Sequence, residues 1–149
     1  MVATLKLMAQ KTVYITRKAR FNAAHKLWNP EWSAEKNHEV FGKCANENWH
    51  GHNYELHVTV KGVPHPDTGY CMDLKVLSDL IRDLVEEPLD HRNLNLDVDW
   101  MKGKIASTEN LIIEIWEQLE VAIKENGCTL HQLRLYETEN NYADYFGGE

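Results

Sequence analysis

His50-Gly51-His52-Asn53-Tyr54-Glu55-Leu56-His57-Val58-Thr59-Val60-Lys61 decides how the chain is read. Its even positions are His50, His52, Tyr54, Leu56, Val58 and Val60, set against Gly51, Asn53, Glu55, His57, Thr59 and Lys61. This period of two predicts a half-buried strand that ends near Gly62-Val63-Pro64. Residues two apart on a strand point to one face, so His50 and His52 are placed to converge on one ion.

Outward from that stretch, the odd positions from Val13 to Leu27 run Val13, Ile15, Arg17, Ala19, Phe21, Ala23, His25 and Leu27, which predicts a preceding strand. Tyr70-Cys71-Met72 offers a short extension after the Asp67-Thr68-Gly69 turn. A helix is expected from Asp73 as N-cap, with Leu74, Leu77, Ile81 and Leu84 or Val85 inward and Pro88 beyond its end. A second helix is capped by Ser107 or Thr108, carries Ile112, Ile115, Trp116, Leu119 and Ile123 as its stripe, and stops at Asn126-Gly127. His131, Leu133, Leu135 and Glu137 then alternate, and Asn140-Asn141 marks a hairpin turn into Tyr142 to Phe146. The order strand, strand, helix, helix, strand, strand predicts an α+β fold, a four-stranded antiparallel sheet with two helices on one face.

Composition narrows the function. The 149 residues include 16 Lys+Arg and 23 Asp+Glu, a formal charge of −7, which offers no general attraction to nucleic acid or an anionic membrane. No stretch approaches the roughly 20 apolar residues of a membrane span. Residues 1 to 11 read as a loosely ordered leader and 12 to 149 as one domain. Three scattered cysteines without a CxxC pair suggest neither a disulfide framework nor a zinc knuckle and point to a reducing, cytoplasmic setting. Eight histidines stand out instead.

His25 is the best third partner for His50 and His52. It lies on the mostly apolar face of the first strand, where an unpaired imidazole is costly, and an antiparallel neighbour would bring it opposite them. His57 has the opposite parity, while His38, His65 and His131 fall in a loop, a Pro-flanked turn and a strand start. Two histidines on one strand face also occur without any metal. Three imidazoles and no thiolate favour an open Lewis-acid site over a closed structural one.

Three further features carry chemistry. Cys44 lies in a polar loop beside Lys43, where a thiol pKa can fall, although such a lone thiol is usually inert. Asp90-His91 sets an acid next to an imidazole, a pair that tunes a proton carrier but is also common in plain turns. Glu137 ends the row of Leu133 and Leu135; its carboxylate is either exposed at a strand end or turned inward, where two N–H donors on a ligand would suit it.

Six motifs in order now resemble the 6-pyruvoyltetrahydropterin synthase family over about Val13 to Gly147. They are Phe21-Asn22-Ala23-Ala24-His25, Phe41-Gly42-Lys43-Cys44, His50-Gly51-His52-Asn53-Tyr54, Pro88-Leu89-Asp90-His91-Arg92-Asn93-Leu94, Ser107-Thr108-Glu109-Asn110 and Tyr136-Glu137-Thr138-Glu139-Asn140-Asn141. The resemblance implies a tunnelling fold, in which three subunits close a barrel and two trimers stack into a homohexamer with sites at subunit interfaces. It implies that His25, His50 and His52 bind Zn2+, and that Cys44 is the general base of a relay whose Asp90 and His91 come from a neighbouring subunit. Glu137 would anchor the pterin's amino-pyrimidine edge, assisted by Ser107 and Thr108. The implied substrate is 7,8-dihydroneopterin triphosphate, which rearranges internally and loses triphosphate; no nicotinamide is required, and no GxGxxG is present to bind one. Trp49 departs from the pattern, standing where a small residue is frequent, and Ser107 replaces a common threonine.

The nearest rival is 6-carboxytetrahydropterin synthase, which takes the same substrate and also releases acetaldehyde. Five residues separate Cys44 from His50 here, resembling the pyruvoyl form. A non-catalytic zinc or pterin binder is a second rival, and a structural zinc domain a third. A triphosphate substrate in a chain of charge −7 demands a local positive well, for which Lys43 is best placed, while Arg20 and Lys26 have the wrong parity for the metal face but could serve a neighbouring subunit.

Overall fold

The computed structural model describes residues 11–148. The expected leader therefore lies, but for Lys11, outside the described residues. Strand β1 runs Val13–His25 and β2 runs His50–Gly62, and they pair antiparallel without a break from Val13 opposite Gly62 to His25 opposite His50. Among the described residues the sheet has five strands in the order β3-β1-β2-β4-β5, with β3 Arg92–Asn93, β4 Thr129–Thr138 and β5 Asn141–Tyr145. The α+β expectation holds. The fifth strand is the addition: β3 is two residues long, pairs parallel with β1, and is too short to show any period.

Helix α1, Ala34–Phe41, and the 3-10 turn Gly42–Ala45 that follows it were not expected. They lack an apolar stripe because the knot that holds them is polar. Ser33 caps α1 by accepting the Lys36 N–H, and Asn37, fully buried, accepts the Asn29 N–H and donates to the Asn29 and Ser33 carbonyls. Helix α2, Leu74–Ile81, starts on the expected Asp73 cap, whose side chain accepts the Lys75 N–H. It does not stop before Pro88. The chain continues through a widened turn, Arg82–Glu86, into α3, Glu87–Leu89, with the Glu87 N–H reaching Arg82 O. Proline has no N–H for the turn behind it, and a widened turn absorbs that loss. Tyr70-Cys71-Met72 is a loop rather than a strand.

The long helix α4, Thr108–Glu125, begins where Ser107 accepts the Asn110 N–H at 3.2 Å. Its Leu111, Ile112, Ile115, Trp116, Leu119 and Ile123 pack, with Leu77 and Ile81 of α2, on Phe21, Tyr54, Leu56, Val58, Leu133 and Leu135 of the sheet. Ser107→Ala removes a cap and should cost about 1 kcal/mol, read from urea unfolding. The odd face of β1 and the even face of β2 thus line the core, as their alternation predicts. In β4 one detail differs. Leu130, not His131, is buried with Leu133, because a bulge between Thr59 and Val60 of β2 leaves His131 as the extra residue.

The opposite sheet face is polar. Thr16 bonds Thr59 at 2.7 Å, Arg20 meets Glu55, and Arg134 holds Asp144 across β4 and β5 with two bonds of 2.7 and 3.0 Å. The Arg134 guanidinium keeps the Asp144 carboxyl below its ordinary range. A carboxylate lowered in the folded state contributes stability above the unfolded value, near 3.9, and loses it as pH falls through the lower folded value. Asp144→Asn should therefore lower the urea midpoint modestly at pH 7, and the gap to the native chain should close as pH falls below about 4.

Candidate active site

The unbroken register of β1 and β2 places His25 opposite His50 and Ala23 opposite His52, so all three imidazoles share the core side of the sheet. Their ligand atoms lie within 4.8 Å of one another. The ring centroids are 4.5 Å apart for His25 and His50 and 5.0 Å for each pair with His52, all meeting edge to face. His25 is 2% exposed, and its Nδ1–H donates to the Ala106 carbonyl at 2.7 Å. A carbonyl only accepts, so the proton sits on Nδ1 and the Nε2 lone pair is free.

That Nε2, His50 Nδ1 and His52 Nε2 are buried and have no hydrogen-bond partner. Burial costs each such group unless something satisfies it. Burial also drives the pKa values of His25 and His50 down, opposed at His25 first by its bond to the Ala106 carbonyl, reinforced by neighbouring imidazole charge and opposed at both by Glu137. The neutral form that results is the one that binds a metal. The three residues fit a divalent cation, and the Ala106 bond is the second-shell contact that would fix the His25 ring.

Glu137 stands beside them. Its carboxylate oxygens are 4.0 Å from His25 Nε2 and 3.7 Å from His52 Nε2, and Thr108 donates to Oε2 at 2.5 Å. Glu137 is the residue skipped between the Tyr136–Tyr142 and Thr138–Asn141 pairs, a bulge that leaves it free of β5. It keeps the parity of the buried Leu133 and Leu135 and turns inward, which resolves the choice between an exposed and an inward carboxylate. Thr108 bears on this carboxylate through its hydroxyl, whereas Ser107 spends its oxygen on the helix cap. A cavity of about 410 Å³ opens here, lined by Leu27, Thr108, Glu109, Glu137, Asn141, Tyr142 and Ala143.

Cys44, half-buried, lies on the 3-10 turn, whose backbone is tied two residues past His25 by the Leu27 N–H to Cys44 carbonyl bond of 2.8 Å. Asp90 and His91 are elsewhere, on the β1 edge. Asp90 accepts the Asn22 N–H at 2.8 Å and holds His91 Nδ1 at 2.8 Å. His91 has φ 58, a left-handed conformation that a side chain adopts at some cost, and its own N–H bonds the Asn22 carbonyl at 2.7 Å. Its ring is 77% exposed and borders a second cavity of about 510 Å³ with Asn22, His52 and Arg92.

Trp49 has φ 68, so the chain bears a bulky side chain where glycine would be unstrained. Its ring lies 4.5 Å under Lys26 Nζ, which also sits over Trp28 at 5.1 Å. Lys26 is thereby held by two indoles and Arg20 by Glu55, while Lys43 is exposed beside Cys44. The sequence reading passed over Tyr54, whose buried hydroxyl lacks a partner; burial, then the Glu137 charge, raises its pKa. Its place on the even face two residues after His52 was the available signal.

Comparison with known proteins decides what kind of site this is. The model of the 6-pyruvoyl tetrahydropterin synthase family matches residues 14–148. The chain belongs to that family. It is 40% identical over 137 residues to the 6-pyruvoyl tetrahydrobiopterin synthase of Dictyostelium discoideum, covering 92% of this chain and 98% of that one. The structure of Caenorhabditis elegans 6-pyruvoyl tetrahydropterin synthase matches with a TM-score of 0.87 at 35% identity, over 93% of this chain and 98% of that one. A more distant relative, the 6-carboxy-5,6,7,8-tetrahydropterin synthase of Bacillus subtilis, is 27% identical over 72% of this chain and 73% of its own. For a 6-pyruvoyl tetrahydropterin synthase family chain, the three histidines, Glu137 and the β1-edge pair are the groups to which roles must be given.

Proposed function

We propose that the protein is a lyase that converts 7,8-dihydroneopterin triphosphate to 6-pyruvoyltetrahydropterin with elimination of triphosphate, using zinc held by His25, His50 and His52. The observation that carries this reading is the set of three buried, unpartnered imidazole nitrogens beside an inward carboxylate. Bound there, zinc supplies a Lewis acid that polarises substrate oxygens and makes the adjacent C–H bonds more acidic.

The protein's own groups do the rest. Glu137 accepts two N–H bonds from the amino-pyrimidine edge of the pterin, with Thr108 fixing its rotamer and Ser107 fixing the helix start that carries Thr108. Leu27 and Tyr142 wall the cavity in which the rings would lie. Cys44 takes the side-chain proton. Asp90 fixes the His91 ring through Nδ1, leaving Nε2 to carry a proton, and it does so for a neighbouring subunit across the β1 edge of a homohexamer of stacked trimers. Lys43 receives the triphosphate, and the enzyme works in the cytoplasm.

Charge-assisted hydrogen bonds contribute about 1.5–3 kcal/mol, so Glu137→Gln should weaken substrate binding by about 10–10²-fold, seen chiefly in KM. Incubating purified protein with the triphosphate and identifying the pterin tests the reaction. A pyruvoyl product is expected; a carboxy-pterin with acetaldehyde would assign the rival reaction. The pyruvoyl reading is favoured by the five residues between Cys44 and His50 and by identities of 40% against 27%.

A further inference from the structure

Cys71 and Cys128 are 57 positions apart, yet they share one gap. Cys71 lies in the loop before α2 and Cys128 just before β4, and Gly62, the last residue of β2, stands between them. A Cβ on Gly62 would be 2.9 Å from Cys128 Sγ, 2.9 Å from Cys71 Cβ and 3.5 Å from Cys71 Sγ. Glycine is required here for space: the two cysteines occupy the volume that any side chain would need. Cys128 is 4% exposed and its S–H donates to the Cys71 carbonyl at 3.1 Å, while Cys71 is half-buried and reachable. Neither thiol touches the site at the far end of β2, roughly 40 Å along the strand from Gly62 to His50.

We propose that Cys71 and Cys128 are a redox-modification site that closes to a reversible disulfide on exposure to a low-molecular-weight disulfide. The Cys71 thiolate attacks one sulfur of the oxidant, breaking its S–S bond, expelling one thiolate and forming a mixed disulfide. Cys128, having given its proton to solvent, attacks Cys71 Sγ and expels the second thiolate. Two protein thiols are oxidised by two electrons, and the oxidant becomes two thiols that take up the two protons released. Cys128 is the slower partner, since burial and the nearby Cys71 push its thiol pKa up to about 11. The bond would tie the loop before α2 to the start of β4 and close a long loop of chain, which restricts the unfolded state.

Oxidised glutathione is the probe. The full chain is incubated with it, acid-quenched, alkylated and mapped by mass spectrometry without reduction. A Cys71–Cys128 peptide lighter by two hydrogens is expected, reversed by dithiothreitol, with a higher urea midpoint for the oxidised protein. Cys128→Ala should trap glutathione on Cys71, and Cys71→Ser should leave Cys128 unmodified; both keep the activity, because neither residue belongs to the site. Full alkylation of both thiols after oxidation, or pairing of Cys71 with Cys44, would overturn the proposal.

Discussion

Cys44→Ala should slow triphosphate release by about 10²–10⁴-fold, the contribution of a positioned general base, with metal content unchanged. The turn that carries Cys44 is held by backbone, through the Leu27 N–H, and by the buried Asn37 behind it, so removing a thiol leaves its shape intact. Loss of rate without loss of metal or stability therefore reads the chemical role of the sulfur. An unchanged rate would return Cys44 to an inert thiol. The same variant also tests the shared site. Random mixing of Cys44→Ala and Asp90→Asn subunits should restore about a quarter of the native rate if the two groups come from different chains, since half the cysteines then meet half the aspartates. Sites formed within one chain would stay inactive on mixing.

His25→Ala has the larger structural effect. It removes one of three metal ligands, and bound zinc should fall from one per chain towards none, with activity lost alongside it. It also leaves the Ala106 carbonyl unpaired in the core, a penalty of about 1–3 kcal/mol before any cavity is counted. Chelating the metal from the native chain separates these effects. The core spans α2, α4 and the strands β1, β2 and β4 without using the metal, so chelation should abolish turnover and leave a cooperative unfolding transition. A chelated protein that unfolds outright would instead make the zinc structural.

Much of the site was legible because it hangs on two regular strands. The period-two pattern puts His50 and His52 on one face, and an antiparallel neighbour of matching parity brings His25 to them. The failures share a cause, since each involves a residue that breaks the period or is too short to establish one. His131 is an inserted residue, which shifts parity without leaving a mark in composition. The turn from Arg82 to Glu86 carries the helix past the point where Pro88 was expected to follow it. Helix α1 is organised by Asn37 rather than by an apolar stripe, and β3 is a two-residue edge contact. Asp90 and His91 make no contact with Glu137 or the cavity beside it, and His91 meets the histidines only across the cavity it shares with His52, so the pair's role rests on the family resemblance and on the mixing experiment.

The bulge at Glu137 has an evolutionary consequence. The carboxylate faces the histidines because Glu137 keeps the parity of the buried Leu133 and Leu135, and beside it one residue more is spent on β4 than on β5 before the Glu139-Asn140 turn. A single insertion or deletion ahead of Glu137 would swing its side chain to the solvent face, while every backbone ladder bond could re-form one step along. This hairpin should accept substitutions freely at its exposed positions and resist changes in length, so descendants of the chain should drift in residue identity there while the residue count from Leu135 to Tyr142 stays constant.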